Sequence, residues 1–317
     1  MVARVESWPQ ARTLEDCVQH TTPTSVSCIG LTDAGVERIC AEHPQLRRLR
    51  ACNAQGLSDE GLERLTTLPL VELELAGLSA VTPAGLRELT RLSLENLALH
   101  DAQLSDQGAA SLARVKTLRG LELCGVGITG RGLARLVELP QLQSLHLSRC
   151  FALGTASLRE LGRRPELRAL RLDGCPDANE ENLALLTPLQ SLERLDLSTW
   201  DRLGSAGLEA VAQLPGLRQV DLSQTPVGDE DLEALWRLPQ LQRLDLTWCT
   251  QLTDRGLEAL TGHRLTHLAL NTTRITDQGA AYLTDMPTLE EVEVRDCPRL
   301  TAHGVAALTA AGIRVLA

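Results

Sequence analysis

The amino-acid sequence predicts an α/β solenoid, in which a short unit of chain is repeated along a curved, right-handed stack. The parallel β-sheet is expected on the concave face and short helices on the convex face. Residues 241–264 show the unit most clearly. Its first three leucines follow L-x-x-L-x-L and end in the alternation of a strand, while the next three have spacings that suit a turn and a short helix. The six are Leu241, Leu244, Leu246, Leu252, Leu257 and Leu260.

The period of the repeat is the second observation behind this prediction. Successive units begin 24 or 25 residues apart, and a last strand-like fragment begins at Ile313. A unit of this size cannot bury its own apolar side, so neighbouring units must stack. The units begin at Thr21, Leu46, Leu70, Leu94, Leu118, Leu142, Leu167, Leu192, Leu217, Leu241, Leu265 and Leu289.

Composition is the third observation. Aromatic residues make up only 2% of the 317 residues, too few for an ordinary compact core, whereas layered leucines can fill a solenoid. The core of a repeat array grows by addition of units, so this length does not imply two domains. We predict one repeat domain over residues 21–317, with about twelve repeats and a terminal strand.

The first element in chain order is a predicted N-terminal cap over residues 1–20, which do not fit the repeat. Thr13, followed by Asp16, favours a short helix through Cys17 and Val18 that covers the first apolar layer. A cap is expected because an end repeat otherwise exposes its core.

Many units then continue with Ser or Thr, a polar residue, any residue and Gly, as in LTDRGL at residues 252–257. The hydroxyl and the polar residue supply acceptors for amides at a helix start, and the glycine allows the helix to lie close to the sheet. The last strand, from Ile313 to Leu316, leaves an open edge, which predicts pairing with another molecule, such as a second copy in a homodimer, or a tolerated exposure.

Four of the nine cysteines share one position, at the corner between strand and helix, where Thr225 and Thr273 stand in other units. A shared position indicates a shared structural role, so we expect small, reduced, inward side chains rather than disulfides. The N-terminal cysteines lack the close pairs of a zinc site, and no metal is expected. The corner cysteines are Cys150, Cys175, Cys249 and Cys297.

The formal net charge of −10 argues against nucleic acid as a partner, because that binding needs a basic surface. No apolar run is long enough to cross a membrane, and residues 1–9 lack the apolar core of a signal peptide. We therefore expect a cytoplasmic protein that contacts neither nucleic acid nor a membrane.

Residues 125–130, GVGITG, satisfy the G-x-G-x-x-G pattern of dinucleotide sites. The repeat explains them differently: Gly125 is an outward position at a strand end, Gly127 lies in the corner, and Gly130 takes the place of Asp254 in its own unit. The acidic residue expected about twenty positions further on is absent. No cofactor is therefore expected.

The chain resembles two groups of leucine-rich repeat proteins over about residues 21–317. Bacterial GALA-type repeats carry I-x-D-x-G-A-x-x-L, and SDQGAA at residues 105–110 and TDQGAA at residues 276–281 are similar. The corner cysteines, followed by LTDRGL at residues 252–257, resemble the cysteine-containing repeats of F-box proteins.

The resemblance implies a non-enzymatic scaffold for protein–protein interaction, and no P-loop, H-E-x-x-H or nucleophile elbow points to catalysis. Some relatives of these kinds are effectors that enter host cells and join ubiquitin ligases through an F-box. The twenty residues before the first repeat are too few for an F-box. Two alternatives stay open: a bacterial effector or adaptor that acts on host proteins, and a regulator of an enzyme such as a small GTPase.

Candidate partner-binding residues lie on the strand face. Outward positions are the second, fourth, sixth and seventh after the first residue of each unit, and parallel strands about 4.8 Å apart bring equivalent positions into columns. The central units combine carboxylates, guanidinium groups and a tryptophan, a composition found at binding hot spots. The predicted site for a protein partner is Arg171, Arg194, Asp196, Asp221, Arg243, Asp245, Trp248 and His267.

A structural alternative accounts for the same aspartates. Leu-Asp-Leu is a common strand form in such repeats, and the carboxylates would then pair diagonally with Arg194 and Arg243 and contribute little at an exposed surface. Trp248 is expected to point outward, Trp200 to be packed at the corner, and Trp236 to cover the convex face.

Overall fold

The computed structural model describes residues 18–175 and 180–317. Over these residues the chain forms one sheet of 14 strands in chain order. The first strand is antiparallel to the second, and each later strand is parallel to the one before it. The strands are β1 (Val18–Thr22), β2 (Ser25–Ile29), β3 (Arg48–Cys52), β4 (Glu72–Ala76), β5 (Asn96–His100), β6 (Gly120–Cys124), β7 (Ser144–Ser148), β8 (Ala169–Arg171), β9 (Arg194–Asp196), β10 (Gln219–Asp221), β11 (Arg243–Asp245), β12 (His267–Ala269), β13 (Glu291–Glu293) and β14 (Arg314–Leu316).

Short helices connect the parallel strands, and each packs against the helix of the next unit. They are α1 (Asp33–Glu42), α2 (Asp59–Leu65), α3 (Pro83–Glu88), α4 (Asp106–Leu112), α5 (Gly130–Leu136), α6 (Thr155–Leu161), α7 (Glu180–Leu183), α8 (Ser205–Val211), α9 (Asp254–Leu260), α10 (Asp277–Thr284) and α11 (Ala302–Ala310), with 3-10 turns at Leu89–Arg91, Ala184–Leu186 and Asp231–Arg237. The predicted α/β solenoid, with a parallel sheet on one face and short helices on the other, is confirmed.

The N-terminal hairpin differs from the expected cap. The sequence favoured a helix through Val18, but β1 begins at that residue and returns through a tight turn, with Thr22 opposite Ser25, to pair with β2. This pairing satisfies the backbone groups on the outer edge of the first parallel strand, which outweighs a weak local helix signal. Residues 13–17 lie outside the described part of the chain, and the division into cap and repeat domain stays a prediction.

Leucines fill the interior in rows. The six leucines of the unit at residues 241–264 are each no more than 2% exposed. Leu244 on β11 is in register with Val220 on β10 and with Leu268 on β12, so each unit layers its side chains on the next. The core therefore extends along the array, as the composition predicts.

Aspartates at the helix starts join neighbouring units. Asp254, the first residue of α9, accepts a 2.6 Å hydrogen bond from the Thr276 hydroxyl and a 2.8 Å bond from the Thr276 amide, at the N-cap of α10. We call this arrangement the junction contact. It occurs in the pairs Asp33–Ser58, Asp59–Thr82, Asp106–Thr129, Asp229–Thr253, Asp254–Thr276 and Asp277–Thr301.

A glycine stands three residues after each serine or threonine of the junction contact, and it makes room for the aspartate. A Cβ atom on Gly256 would lie 2.7 Å from Asp229 Oδ1, and the Gly256 amide itself donates to that oxygen at 3.1 Å. The same Cβ atom would lie 2.6 Å from Leu252 Cδ1, so the glycine allows close packing within its own unit and also admits the carboxylate of the preceding unit.

The junction contact is replaced between α5 and α6. Gly130 stands where several other units have aspartate, and Gly154 takes the N-cap position, as Gly204 does for α8. A Cβ atom on Gly130 would lie 3.2 Å from Ala156 Cβ. Both partners of the polar contact are thus absent together, and backbone packing takes their place.

The four corner cysteines and Trp200 donate hydrogen bonds to the carbonyl at the end of the preceding strand. These cysteines are buried, and no disulfide joins the cysteines in the described ranges. Burial raises the pKa of Cys150 to about 11 and that of Cys175 to about 12, so both stay protonated donors. Trp200 is buried in the same position, as predicted.

Candidate interaction surface on the strand face

Strands β8 to β12 bring the predicted site residues into two columns. The fourth positions align, with Arg171 opposite Asp196 and with Asp221 between Asp196 and Asp245. We call the last three the aspartate column. The second positions align beside it, in the order Arg194, Gln219, Arg243 and His267. The predicted register is therefore observed, because buried residues alternate with these outward ones along each strand.

Each member of the aspartate column also ends its own strand. One carboxylate oxygen accepts a hydrogen bond from the amide two residues later, at 3.0 Å for Asp196, 2.9 Å for Asp221 and 2.9 Å for Asp245. Such a local bond turns the chain out of the strand and into the corner. The aspartates thus have a structural role that uses one of their two oxygens.

The ion pairs differ from those expected of these aspartates. Arg171 Nε donates to Asp196 Oδ2 at 2.7 Å. Among the described residues, Arg194 and Arg243 form no ion pair and extend exposed into solvent. Diagonal pairing with those two arginines is therefore wrong: the carboxylates turn toward their own strand ends, whereas these arginines project from the strand starts. Within residues 18–175 and 180–317, Asp221 and Asp245 form no ion pair, and the amide two residues later occupies one oxygen of each.

Asp221, the middle residue of the aspartate column, has a raised pKa. Burial, with added repulsion from Asp196 and Asp245, raises the pKa of Asp221 to about 7. Burial raises the pKa of Asp245 as well. A positive group placed over Asp221 would favour its charged form and lower this pKa again.

Trp248 lies at the edge of these columns with 54% of its surface exposed. Its φ of 64° is in the left-handed region, as it is for the seventh position of other units, including Gly125 and Gln224. This backbone is set by the repeat, since the Trp248 amide donates to the Asn271 carbonyl at 2.8 Å. A bulky side chain is unfavourable there. The exposed indole was predicted from the sequence, and the strain beneath it was not.

His267 closes the second column. It is half-buried, and its Nδ1 lies 2.9 Å from the Thr266 hydroxyl.

A second polar group on β5 to β7 is absent from the predicted site. Its Glu122 lies 3.5 Å from His146 Nδ1 and 3.8 Å from His100 Nε2. The same columnar alignment, applied to the fourth positions of these units and to the sixth position that His100 holds, indicates this group from the sequence.

The glycine-rich stretch follows the repeat. Gly125 has a φ of 65° at the seventh position, and Gly130 is the first residue of α5. Within the described ranges, no group of three or more His, Cys, Asp or Glu side chains is arranged to hold a metal ion. None of the helices described is long and apolar enough to span a membrane.

Comparisons with known proteins agree with this architecture. A family model described as Leucine Rich repeat matches residues 238–260. A search of the curated proteins found no match. The structure of Rad7 and Elc1 complex in yeast is similar with 21% identity and a TM-score of 0.60, over 90% of this chain and 84% of the other.

Two further solved structures are similar. An internalin, inlF, from Listeria monocytogenes str. 4b F2365 has 17% identity and a TM-score of 0.59, over 92% of this chain and 86% of the other. A TLR13–ssRNA13 complex has 19% identity and a TM-score of 0.57, over 85% of this chain and 42% of the other. The repeated strand, corner and helix are those of a leucine-rich repeat. The chain has the leucine-rich repeat fold.

Proposed function

We propose that the protein is a non-enzymatic scaffold that holds a protein partner on its concave strand face, over the aspartate column. The observation that carries the proposal is the charge imbalance of that column. Asp196 has an arginine partner, whereas Asp221 and Asp245 lie side by side without one. Like charges directly opposite each other are destabilising. A partner that presents an arginine or lysine side chain to Asp221 would relieve this repulsion.

Trp248 supports the same location. Its exposed indole lies at the strand end next to the aspartate column, and burial by a partner would remove apolar surface from water. Aromatic residues surrounded by polar groups are enriched at interaction hot spots. We therefore assign Trp248 the role of the apolar anchor.

Charges of both signs make the surface selective. Arg194, Arg243 and His267 flank the aspartates and would accept acidic groups of the partner, so that the bound segment carries alternating charge. Arg171 is already engaged with Asp196 and holds that carboxylate in place. We propose a cytoplasmic location, because the free thiols fit a reducing compartment.

Affinity capture from the source organism, followed by calorimetry with the purified partner, tests the proposal. Trp248→Thr is a matched change, because Thr272 has the same left-handed backbone with a φ of 57°. It should weaken binding by about 2 kcal/mol or more. Asp221→Asn should mainly reduce the salt-sensitive part of the affinity. Trp236→Thr, at an exposed position on the helix side, is the control.

Two outcomes would change the proposed site or the proposed role. A partner that binds both variants as tightly as the parent, but loses affinity when Arg48 is changed to alanine, places the site on the N-terminal strands. A captured ubiquitin-ligase subunit or GTPase selects the adaptor or the regulator as the role of this surface.

A further inference from the structure

A second cluster on the strand face is centred on Cys124, the last residue of β6. Its position is in register with His100 on β5 and Ser148 on β7. Arg149, which follows β7, donates from Nη2 to Cys124 Sγ at 3.1 Å. His100 lies directly opposite Cys124 on the neighbouring strand β5. The sulfur is therefore held between two basic groups from neighbouring strands.

Carboxylates complete the cluster. Glu122 Oε1 lies 3.8 Å from His100 Nε2, and Glu74 Oε1 lies 4.0 Å from the same nitrogen. The hydrogen bond with Cys124, followed by the charges of these carboxylates, raises the pKa of His100. The His100 hydrogen bond, aided by Arg149, lowers the pKa of Cys124. Both directions favour a thiolate beside an imidazolium, the arrangement that activates cysteine nucleophiles.

A comparison with Cys52 and Cys150 indicates that the charged residues around Cys124 determine its protonation state. Cys52 takes the same register position on β3 and is more exposed than Cys124, which is 8% exposed. Burial and the charge of Glu74 raise the pKa of Cys52. Cys150, one unit further along at the corner, is fully buried. Exposure alone would make Cys52 the most reactive of the three, whereas the charges around the sulfur favour Cys124.

We propose that Cys124 is a modification site that takes small, negatively charged disulfides. The Cys124 sulfur attacks one sulfur of the disulfide, so a new S–S bond forms while the old one breaks. The departing thiolate takes up the proton that Cys124 has released. The product is a mixed disulfide on the concave face. Arg149 has a side chain that is 56% exposed beside the sulfur, and its Nη2 lies 3.5 Å from Asp101 Oδ1. The carboxylate of the incoming disulfide takes the place of Asp101 on this guanidinium group.

The test is the reaction of the native full-length protein with 5,5′-dithiobis(2-nitrobenzoic acid), an anionic disulfide, followed by peptide mapping. Cys124 should be modified well before Cys52, and Cys150 should react only after unfolding. This comparison needs no variant, so it does not depend on any substitution being tolerated. Modification of Cys52 first, or of Cys124 only on unfolding, would overturn the proposal.

Two variants separate the contributions of Arg149 and Cys124 to the reaction. Each introduces a residue that another unit already has at the same position. Arg149→Gln suits the local backbone, because Gln224 has a φ of 58° at the same position of another unit. It should slow modification of Cys124 by about ten-fold with the anionic reagent and by less with uncharged dipyridyl disulfide. Cys124→Ser, which matches Ser148 in the next strand, should abolish the fast phase. Equal slowing with both reagents, or a fast phase that survives Cys124→Ser, would contradict the assignment.

Discussion

The Trp200 indole donates a 2.8 Å hydrogen bond to the Leu172 carbonyl, the contact that a cysteine makes in other units. Cys249 Sγ, for example, lies 3.2 Å from the Leu222 carbonyl. Because tryptophan and cysteine differ so much in volume, a small side chain is not what these corner residues share. Trp200 and the four corner cysteines share a donor for the carbonyl that ends the preceding strand, whereas Ala54 and Val126 fill the corner of other units without one.

Trp200→Phe should therefore destabilise the protein by about 1–3 kcal/mol, because the Leu172 carbonyl loses its donor while the ring still fills the corner. Urea unfolding followed by circular dichroism measures the change. Trp236→Phe, at an exposed position, should stay within about 0.5 kcal/mol of the parent. Equal stability of the two variants would argue against a role for the hydrogen bond.

Gly256→Ala should lower stability even though alanine favours helices by about 1 kcal/mol over glycine. The new Cβ atom would lie 2.6 Å from Leu252 Cδ1 and 2.7 Å from Asp229 Oδ1, so the junction contact must shift. Thermal unfolding compares it with Gly127→Ala, whose nearest neighbour, the Leu104 carbonyl oxygen, is 3.6 Å away. A Gly256→Ala protein more stable than the parent would show that the carboxylate does not need this space.

Asp221→Asn should remove part of the pH dependence of stability. The pKa of Asp221 is raised from 3.8 to about 7 in the folded protein, so its stabilising contribution is complete below about pH 4 and is lost as pH rises through about 7. The free energy of unfolding of the parent should fall across this window relative to the variant. Urea titrations at about pH 5 and about pH 8 measure it, with Asp201→Asn in an exposed turn as control. If the free energy of unfolding of the parent and of Asp221→Asn changed equally between these two pH values, the raised pKa of Asp221 would be contradicted.

β14 is the last strand of the sheet, and we expect its outer edge to pair with a second copy of the chain. Val315 is half-buried there, so Val315→Asp should disrupt a concentration-dependent dimer seen by sedimentation velocity. Thr309→Asp, at an exposed position of α11, should leave the association unchanged. A strict monomer at high concentration would rule out this pairing.

The columns of the strand face followed from the sequence because a fixed period and strand alternation together determine which residues align. The sequence did not predict which charged residues form ion pairs. Asp196 pairs with Arg171 of the preceding unit, since its other oxygen is already occupied by the Ser198 amide. The Ser198 amide and Arg171 thus bind different oxygens of one carboxylate. This arrangement depends on side-chain conformation, which the alternation of residues along a strand does not predict.

The errors of interpretation have a common physical origin. The helix expected through Val18 gave way to a strand because the edge of β2 offered hydrogen-bond partners. The space beside Gly256 is limited by Leu252 of its own unit and by Asp229 of the preceding one, and the pattern of a single unit indicates only the first. Sequence patterns describe one unit at a time, whereas these contacts join two.

Some units carry both halves of the junction contact, a hydroxyl toward the preceding unit and an aspartate toward the following one. They are the units of Ser58 with Asp59, Thr253 with Asp254, and Thr276 with Asp277. The last two stand side by side and meet their neighbours through the same contact, so either can be duplicated or deleted without leaving an unmatched group. The unit of Thr129 and Gly130 carries only the hydroxyl, and a tandem copy of it would place glycine where that hydroxyl needs an aspartate.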